Sequence, residues 1–310
     1  MRYISFEEAD PILKWTDVAQ AIRDGHKLPK AKIGDLLLQD EPNALLSRGA
    51  WISDLGMALK SMSVFPGNND QIPPLPSIHG GVLLFDGENG ELRAVIDGIL
   101  VTKWKTAGDS VLGAQLLANP EPKTHLMVGA GTVAATIIDA YNEVFPSIDR
   151  FMIWNRTKEK AEKLASEMSE SVAGVEVVTD LEPAAGIADI ITTATMSNKP
   201  VLNGDWIIPG THIDLIGAYK PDMREADDGL LQKSRIFVDS RDTTIGHIGE
   251  IDIPLSTGAI AEQDILGDFY DLCSGQPGRI RTEDITVFKN GGGAHLDLMT
   301  SSVIFDSANA

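Results

Sequence analysis

The segment 123–158 constrains this chain most, because it places a glycine-rich turn between two short apolar runs. Residues 126–128 (LMV) suit a buried parallel strand, and residues 129–134 (GAGTVA) follow it with the spacing G-x-G-x-x-A. Apolar residues then recur at helical spacing from 133 to 141, and residues 151–154 (FMIW) form the second run. Strand, glycine turn, helix and strand in this order are typical of a dinucleotide-binding βαβ unit.

Each small residue of this turn has a physical task. Gly129 permits the tight turn, Gly131 lets the backbone approach a pyrophosphate, and Ala134 lets the helix pack on the strand. The start of the helix, at Thr132 and Val133, offers N–H donors and a partial positive charge to the phosphates. The segment therefore predicts a bound dinucleotide, and a glycine turn without a ligand is the alternative.

The end of the second strand bears on which dinucleotide binds. An NAD site usually has an acidic residue there, which accepts from the ribose 2′-hydroxyl. This chain instead has Asn155, Arg156 and Thr157. The guanidinium of Arg156 suits a 2′-phosphate, Thr157 can donate to it, and Asn155 can bond a ribose hydroxyl. The pattern favours NADP(H), with NAD(H) possible and a solvated loop cation as the alternative reading of Arg156.

Composition limits the remaining functions. The 310 residues are enough for two domains, and no apolar run is long enough to span a membrane. A net charge of −19 argues against nucleic acid and anionic membranes as partners, and it requires local cations for any anionic substrate. The lone cysteine, Cys273, excludes an intrachain disulfide, which fits a cytoplasmic protein.

The order of elements along the chain predicts two folding patterns. Residues 1–30 show helical spacing, and short strands are expected at 36–38, 61–65, 81–85 and 92–96, with a hairpin turn at 86–90. From 102 onwards helices and strands alternate, which predicts a doubly wound α/β domain. The helices are expected at 102–118, at 158–168 and from 295; the strands are expected at 175–178, 187–195, 212–218, 236–239 and 285–289.

Four motifs outside the glycine turn resemble those of the ornithine cyclodeaminase/mu-crystallin family. They are residues 60–68 (KSMSVFPGN), 100–107 (LVTKWKTA), 216–225 (IGAYKPDMRE) and 286–289 (TVFK) with the glycines that follow. The resemblance covers nearly the whole chain. It implies a Rossmann doubly wound parallel sheet inserted into an α+β substrate and dimerisation domain with a mainly antiparallel sheet.

The same resemblance implies the domain bounds and the assembly. Residues 1–118 would begin the substrate domain, 119–288 would form the NAD(P)-binding domain, and 289–310 would return as a C-terminal helix. The family fold implies a homodimer that pairs through the N-terminal sheet. It also implies an active site in the cleft between the domains.

The resemblance assigns Lys60 as the active-site lysine, which would donate a proton or hold the substrate electrostatically. Lys105 stands where the family commonly has an arginine that binds the substrate carboxylate, and a lysine grips a carboxylate less specifically. Arg48 is a candidate for a second polar group of the substrate, or else a charge at the rim of the site. Ser77 matches a residue that lines the family site, and His79 is either a general acid or a structural histidine.

Tyr219 stands where true ornithine cyclodeaminases have an aspartate, and tyrosine is not a carboxylate base at neutral pH. This departure counts against deamination with cyclisation. Cofactor contacts are expected from the residues of the glycine turn and from the ends of later strands, and no metal is expected. The cofactor set is Thr106, Gly129, Gly131, Thr132, Val133, Asn155, Arg156, Thr157, Thr195, Met196, Tyr219, Lys289, Asn290 and Gly291.

The resulting hypothesis is an NAD(P)H-dependent reductase of a small anionic imine. Cyclic ketimines such as pyrroline-2-carboxylate or piperideine-2-carboxylate, or linear 2-imino acids, are the expected substrates, and an amino acid is the product. Three alternatives stay open: an ornithine or lysine cyclodeaminase with catalytic NAD, an alanine-type dehydrogenase, and an NADP-dependent binding protein with little activity.

Overall fold

The computed structural model describes residues 1–310, which divide into two compact units. The terminal unit comprises residues 1–108 and 293–310, and the central unit comprises residues 109–292. The terminal unit is therefore built from both ends of the chain, while the central unit is one continuous segment. No helix combines the length and the apolar character that crossing a membrane requires.

Fourteen strands form two sheets, one in each unit. The strands are β1 (Arg2–Ile4), β2 (Lys32–Asp40), β3 (Asn43–Ile52), β4 (Gly56–Val64), β5 (Ile78–Phe85), β6 (Leu92–Asp97), β7 (Thr124–Val128), β8 (Arg150–Trp154), β9 (Val175–Val177), β10 (Ile190–Thr193), β11 (His212–Leu215), β12 (Arg235–Val238), β13 (Ile265–Gly267) and β14 (Thr286–Lys289).

Eleven α-helices accompany these strands. They are α1 (Phe6–Ala9), α2 (Trp15–Gly25), α3 (Gly98–Leu117), α4 (Thr132–Val144), α5 (Lys158–Met168), α6 (Leu181–Ala185), α7 (Asp228–Gln232), α8 (Arg241–Thr244), α9 (Gly249–Thr257), α10 (Phe269–Cys273) and α11 (Ala294–Asn309).

The sheet of the terminal unit has the order β1-β6-β5-β4-β3-β2 and is antiparallel except for the β1–β6 pair. Alternation along β4 turns Ala58, Lys60 and Met62 towards one face, where all three are buried. Helices α11 and α2 pack together, and α11 covers this inner face of the sheet. A lysine in such a row of buried apolar positions is therefore unusual.

The central unit confirms the predicted doubly wound fold. Its eight strands are all parallel in the order β13-β12-β14-β11-β10-β7-β8-β9. From β7 the chain moves outward to β8 and β9, and it then returns to place β10 on the other side of β7. The carboxyl ends of β7 and β10 thus form the switch point at which such sheets bind their ligands.

Several sequence-based element assignments differ from the structure. The stretch 1–30 is not helical throughout, because β1 pairs in parallel with β6 before the first helix begins. Strands β1, β3 and β13 were not predicted. Strands β1 and β13 have only three residues, which are too few to display a period. The strands predicted at 187–195 and 212–218 stop at Thr193 and Leu215, where the chain leaves the sheet.

Candidate functional site

Lys60 lies on the inner face of the terminal unit, and its ammonium has two side-chain partners. The Nζ atom donates to the hydroxyl of Thr102 at 2.6 Å and to Oδ1 of Asp297 at 3.1 Å. Asp297 lies on α11 and is 2% exposed, while Lys60 is 8% exposed. Because an ammonium has three donors, one N–H of Lys60 is left over for a further acceptor.

The environment of Lys60 favours acid–base chemistry. Burial lowers the pKa of Lys60, and the carboxylate of Asp297 opposes that effect. The positive charges of Lys105 and Arg48 lower the pKa further. A lysine whose pKa lies below its usual range is a better proton donor than an ordinary lysine.

The structure brings three of the predicted cations together in the terminal unit. Arg48 lies directly opposite Lys60 in the sheet, so the two side chains share the inner face. Its Nε atom donates to Asp35 on the next strand at 2.9 Å. Lys105 on α3 is close enough to act on Lys60 electrostatically. Together the three cations create a site suited to a small anion despite the net charge of −19.

His295 is a fourth group near these cations. It is fully buried at the start of α11, and its ring meets that of His26 edge-on with a centroid distance of 5.2 Å. Burial lowers the pKa of His295 well below its usual range, and the charges of His26, Lys105 and Arg48 act in the same direction. The ring is therefore neutral at physiological pH and adds no charge to the site.

The remaining predicted residues of the terminal unit are placed differently. His79 pairs with Ser63, so strand alternation turns its side chain to the face opposite Lys60. The structure thus does not bring His79 together with the three cations. The hydroxyl oxygen of Ser77, just before β5, is enclosed and has no hydrogen-bond partner. Thr106 lies on α3, one residue after Lys105, and is half-buried.

In the central unit, the glycine turn lies at the carboxyl end of β7. Gly129 has φ +123°, and a Cβ there would lie 2.7 Å from the carbonyl oxygen of Ala194. Gly131 differs, because a Cβ there would meet no protein atom within 4 Å. Contacts within the protein therefore explain the first glycine but not the second.

Open space above Gly131 fits the approach of a pyrophosphate to the backbone. Helix α4 begins immediately afterwards at Thr132, which is exposed, so the first N–H groups of the helix are directed towards that space. Ala134 is fully buried, as close packing of the helix on the sheet requires. The residues of this turn fit a dinucleotide.

The end of β8 is open to solvent. Asn155 uses its side-chain amide to donate to the carbonyl oxygen of Thr157 at 2.8 Å, which shapes the loop before α5. Arg156 and Thr157 are exposed. The loop therefore presents one guanidinium and one hydroxyl to solvent, and Asn155 holds the backbone that carries them.

The loops after β10 and β11 are joined by one carboxylate. Thr195 donates through its backbone N–H and its hydroxyl to Glu225, at 2.7 and 2.6 Å. Met196 beside it is 80% exposed, and Tyr219 after β11 is 56% exposed. Both exposed side chains lie at the carboxyl edge of the sheet, where a ligand would cover them.

Lys289 at the end of β14 is fully buried. Its Nζ atom donates to the carbonyl oxygens of Leu215 and Asn290, each at 2.8 Å. Burial lowers the pKa of Lys289, against the opposing charges of Glu250 and Glu225. The ammonium is thus already engaged by the protein, and a contact with the cofactor stays a prediction.

The two residues after Lys289 are fixed by the protein. The side-chain amide of Asn290 donates to the hydroxyl of Ser110 at 3.0 Å. Gly291 and Gly292 donate their backbone N–H groups to one oxygen of Asp239, at 3.0 and 2.5 Å. The loop after β14 is therefore held by a buried carboxylate.

The sequence-based interpretation missed the buried carboxylates of both units. Asp297 stands between the apolar residues Leu296 and Leu298, and an acidic residue buried among apolar neighbours needs a cation. That signal could have been used, although it does not identify Lys60 as the partner. The sequence alone predicted no role for Glu225, at the end of a family motif, or for Asp239, at the end of a predicted strand.

Comparisons with known proteins identify the family of this chain. The model of the ornithine cyclodeaminase/mu-crystallin family matches residues 52–310. The chain is 49% identical over 304 residues to the Delta(1)-pyrroline-2-carboxylate reductase of Paracoccus denitrificans, covering 98% of this chain and 96% of that protein.

Two solved structures share the whole fold. The Delta(1)-pyrroline-2-carboxylate reductase of Thermococcus litoralis, in complex with NADH and L-proline, is similar with a TM-score of 0.90 and 28% identity, covering 100% of this chain and 98% of that chain. An archaeal alanine dehydrogenase dimer with bound NAD has a TM-score of 0.90 and 27% identity, covering 100% and 96%.

Proposed function

The chain belongs to the ornithine cyclodeaminase/mu-crystallin family, and from this premise we propose that it reduces the C=N bond of a cyclic ketimine or 2-imino acid with NAD(P)H. The product is an amino acid, and a Delta(1)-pyrroline-2-carboxylate-type ring is the preferred substrate. The observation that carries the proposal is the buried Lys60–Asp297 pair beside Lys105 and Arg48. It supplies a proton donor next to a site for a carboxylate.

The side chains of the terminal unit have two roles in the proposed reaction, carboxylate binding and proton donation. Lys105 and Arg48 hold the substrate carboxylate, which orients the ring and raises its local concentration. Lys60, with one N–H left over, donates a proton to the imine nitrogen, and Asp297 keeps the ammonium charged until it does so. When bound, the nicotinamide would supply the hydride for the imine carbon.

The direct test is oxidation of NADH or NADPH by purified protein with Delta(1)-pyrroline-2-carboxylate, with chiral analysis of the proline formed. Rapid oxidation and stoichiometric proline are expected. Failure to oxidise either cofactor across a panel of cyclic and linear 2-imino acids would reject the proposal. Release of ammonia from ornithine with NAD alone would favour the cyclodeaminase, and oxidation of alanine would favour the dehydrogenase.

NADP(H) is the proposed preference, because Arg156 and Thr157 are exposed at the end of β8 and no acidic residue stands among residues 155–157 directly after that strand. A 2′-phosphate would find a planar donor fork there. The related structures contain NADH or NAD, so NAD(H) is the competing outcome. The ratio of kcat/KM for the two cofactors measures the preference.

A homodimer through the terminal-unit sheet is part of the proposal. The outer face of this sheet carries large apolar side chains that are 38–53% exposed: Leu36, Leu38, Leu45, Trp51 and Leu59. Contiguous apolar surface of this kind usually marks an interface, and one related structure is a dimer. A dimer mass by light scattering, lost in a Leu38→Glu/Leu45→Glu variant, is the expected result. We also infer a cytoplasmic location from the single cysteine.

A further inference from the structure

The carboxylate of Glu225 accepts hydrogen bonds from two loops of the central unit. Each of its oxygens accepts two hydrogen bonds. Oε1 accepts from the backbone N–H and the hydroxyl of Thr195, at 2.7 and 2.6 Å. Oε2 accepts from the hydroxyl of Thr193 and the backbone N–H of Gly217, at 2.7 and 2.6 Å. Four donors converge on a fully buried anion, which only a carboxylate can accept in this arrangement.

These donors belong to the loops at the switch point. Thr195 follows β10, and Gly217 follows β11. The same loop after β10 touches the glycine turn, because Ala194 donates to the carbonyl oxygen of Val128 at 2.9 Å and its own carbonyl oxygen faces Gly129. Glu225 therefore fixes the backbone beside the turn that fits the dinucleotide.

Glu225 is itself held in place by a second buried carboxylate. Glu250 accepts the backbone N–H groups of Glu225 and Ala226, at 2.6 and 3.0 Å. Burial raises the pKa of Glu250 to about 7, and the charge of Glu225 acts in the same direction. Lys289 supplies the opposing positive charge. The carboxylate of Glu225 is thus pre-organised before any ligand arrives.

Gly217 shows how closely this arrangement is packed. A Cβ at Gly217 would overlap the backbone of Thr195 and lie 2.5 Å from Oε1 of Glu225. The backbone dihedral of Gly217 does not demand a glycine, since its φ is not left-handed. The glycine is required by the close approach of the two loops around the carboxylate.

A comparable carboxylate lies at the opposite edge of the same sheet. Asp189 precedes β10, and one of its oxygens accepts from the backbone N–H of Lys123, the backbone N–H of Thr124 and the hydroxyl of Thr124, at 2.8, 2.9 and 3.1 Å. It ties the amino ends of β7 and β10 together. Because ligands bind at the carboxyl edge of such sheets, Asp189 has a structural role alone.

We propose that Glu225 is a positioning residue for the dinucleotide, which holds the loops after β10 and β11 in the conformation that binds the nicotinamide end. This inference rests on the proposed function only in taking the ligand to be NAD(P)H. It predicts that the charge and both oxygens of Glu225 are needed for cofactor affinity, whereas Asp189 contributes to stability only.

The test compares Glu225→Gln with Asp189→Asn by titrating NADH and NADPH against protein fluorescence, without substrate. An amide has one acceptor oxygen, so the introduced side chain turns its own N–H donors towards two of the four groups that donate here. We expect the Kd of Glu225→Gln to rise about tenfold or more. Asp189→Asn should lower Tm about as much as Glu225→Gln does, but its Kd should stay within about twofold of the wild-type value. The hydrogen bonds that Asp189→Asn weakens lie at the amino edge of the sheet, away from the carboxyl edge at which ligands bind.

A second variant guards against misfolding of Glu225→Gln. Thr193→Val is nearly isosteric and fully buried in β10, and it removes one donor to Oε2. A rise in Kd of about threefold is expected, because one charge-assisted bond is lost. The inference is overturned if both Glu225→Gln and Thr193→Val bind the cofactor with wild-type affinity. If Glu225→Gln does not fold, wild-type affinity of Thr193→Val is sufficient to overturn it. Wild-type protein that binds neither cofactor rejects the proposed function instead.

Discussion

Two buried lysines, one in each unit, show how the same side chain is used in two ways. Lys60 donates to side chains, Thr102 and Asp297, and retains 8% exposure. Lys289 donates to the main-chain carbonyl oxygens of Leu215 and Asn290 and has no exposure. Burial lowers the pKa of both. A lowered pKa therefore does not by itself identify the reactive lysine.

What distinguishes the two residues is the chemistry of their neighbours. Lys60 is surrounded by other cations, Lys105 and Arg48, which attract an anion and make its proton easier to release. Lys289 is surrounded by the carboxylates of Glu225, Glu250 and Asp239, which hold the proton on. The cations around Lys60 suit the binding of an anionic substrate, whereas the ammonium of Lys289 neutralises buried carboxylates.

The largest expected effect is that of Lys60→Arg. A guanidinium keeps the ion pair with Asp297 but does not release its proton at neutral pH. We expect kcat to fall about 10²–10⁴-fold, as for the loss of a general acid, with Tm close to that of the wild type. Steady-state reduction of pyrroline-2-carboxylate measures the change.

Lys105→Arg is the matched control for this variant, because Lys105 is assigned a charge and no proton transfer. It should retain activity within a few fold. Equal losses in Lys60→Arg and Lys105→Arg would remove the distinction between a proton donor and a carboxylate-binding cation.

The second prediction concerns stability. Lys289→Met leaves buried carboxylates without their cation, so the free energy of unfolding should fall by about 3–5 kcal/mol. Urea denaturation measures the loss. Adding Glu250→Gln should restore part of it, because one of the uncompensated charges is removed. A stable Lys289→Met protein with weakened cofactor binding would instead support the cofactor contact predicted from the sequence.

The third prediction is the pH dependence of Asp297→Asn. In the proposed reaction Lys60 must be protonated, so kcat/KM should fall as pH rises through the pKa of Lys60. Asp297 raises that pKa against burial, and its removal should move the fall to lower pH by about one unit or more. Asp10→Asn, which removes the partner of Lys103, should leave the profile unchanged. A profile shifted to higher pH contradicts the assignment.

The smallest expected effect concerns Arg156, an exposed cation that contrasts with the buried lysines Lys60 and Lys289. Arg156→Ala should weaken NADPH binding about tenfold and leave NADH binding nearly unchanged, because only NADPH has a 2′-phosphate to lose. Lys158→Ala, two residues further on and paired with Glu162, is the control and should discriminate little between the cofactors. Equal loss of both cofactors would mean that Arg156 does not contact the 2′-phosphate.

Much of this organisation could be predicted from local sequence. The glycine turn with its flanking elements was predicted correctly, and so were the doubly wound fold, the hairpin at 86–90 and helix α5. These features depend on short-range patterns that a few consecutive residues display. The sequence named Arg48 and Ser77 as candidates for the site. It did not show on which face of the sheet the candidate side chains lie. His79 shows the limit, since its placement depends on strand register, which the sequence left open.

By itself the sequence determined where a dinucleotide fits and which family the chain resembles, because glycine spacing and motif order are local properties. Only the tertiary structure decided which charges meet. Asp297 reaches Lys60 across 237 residues of chain, and Glu225 gathers donors from two separate loops. Such pairs form because a buried charge is costly without a partner, and the fold alone selects which distant residue becomes that partner.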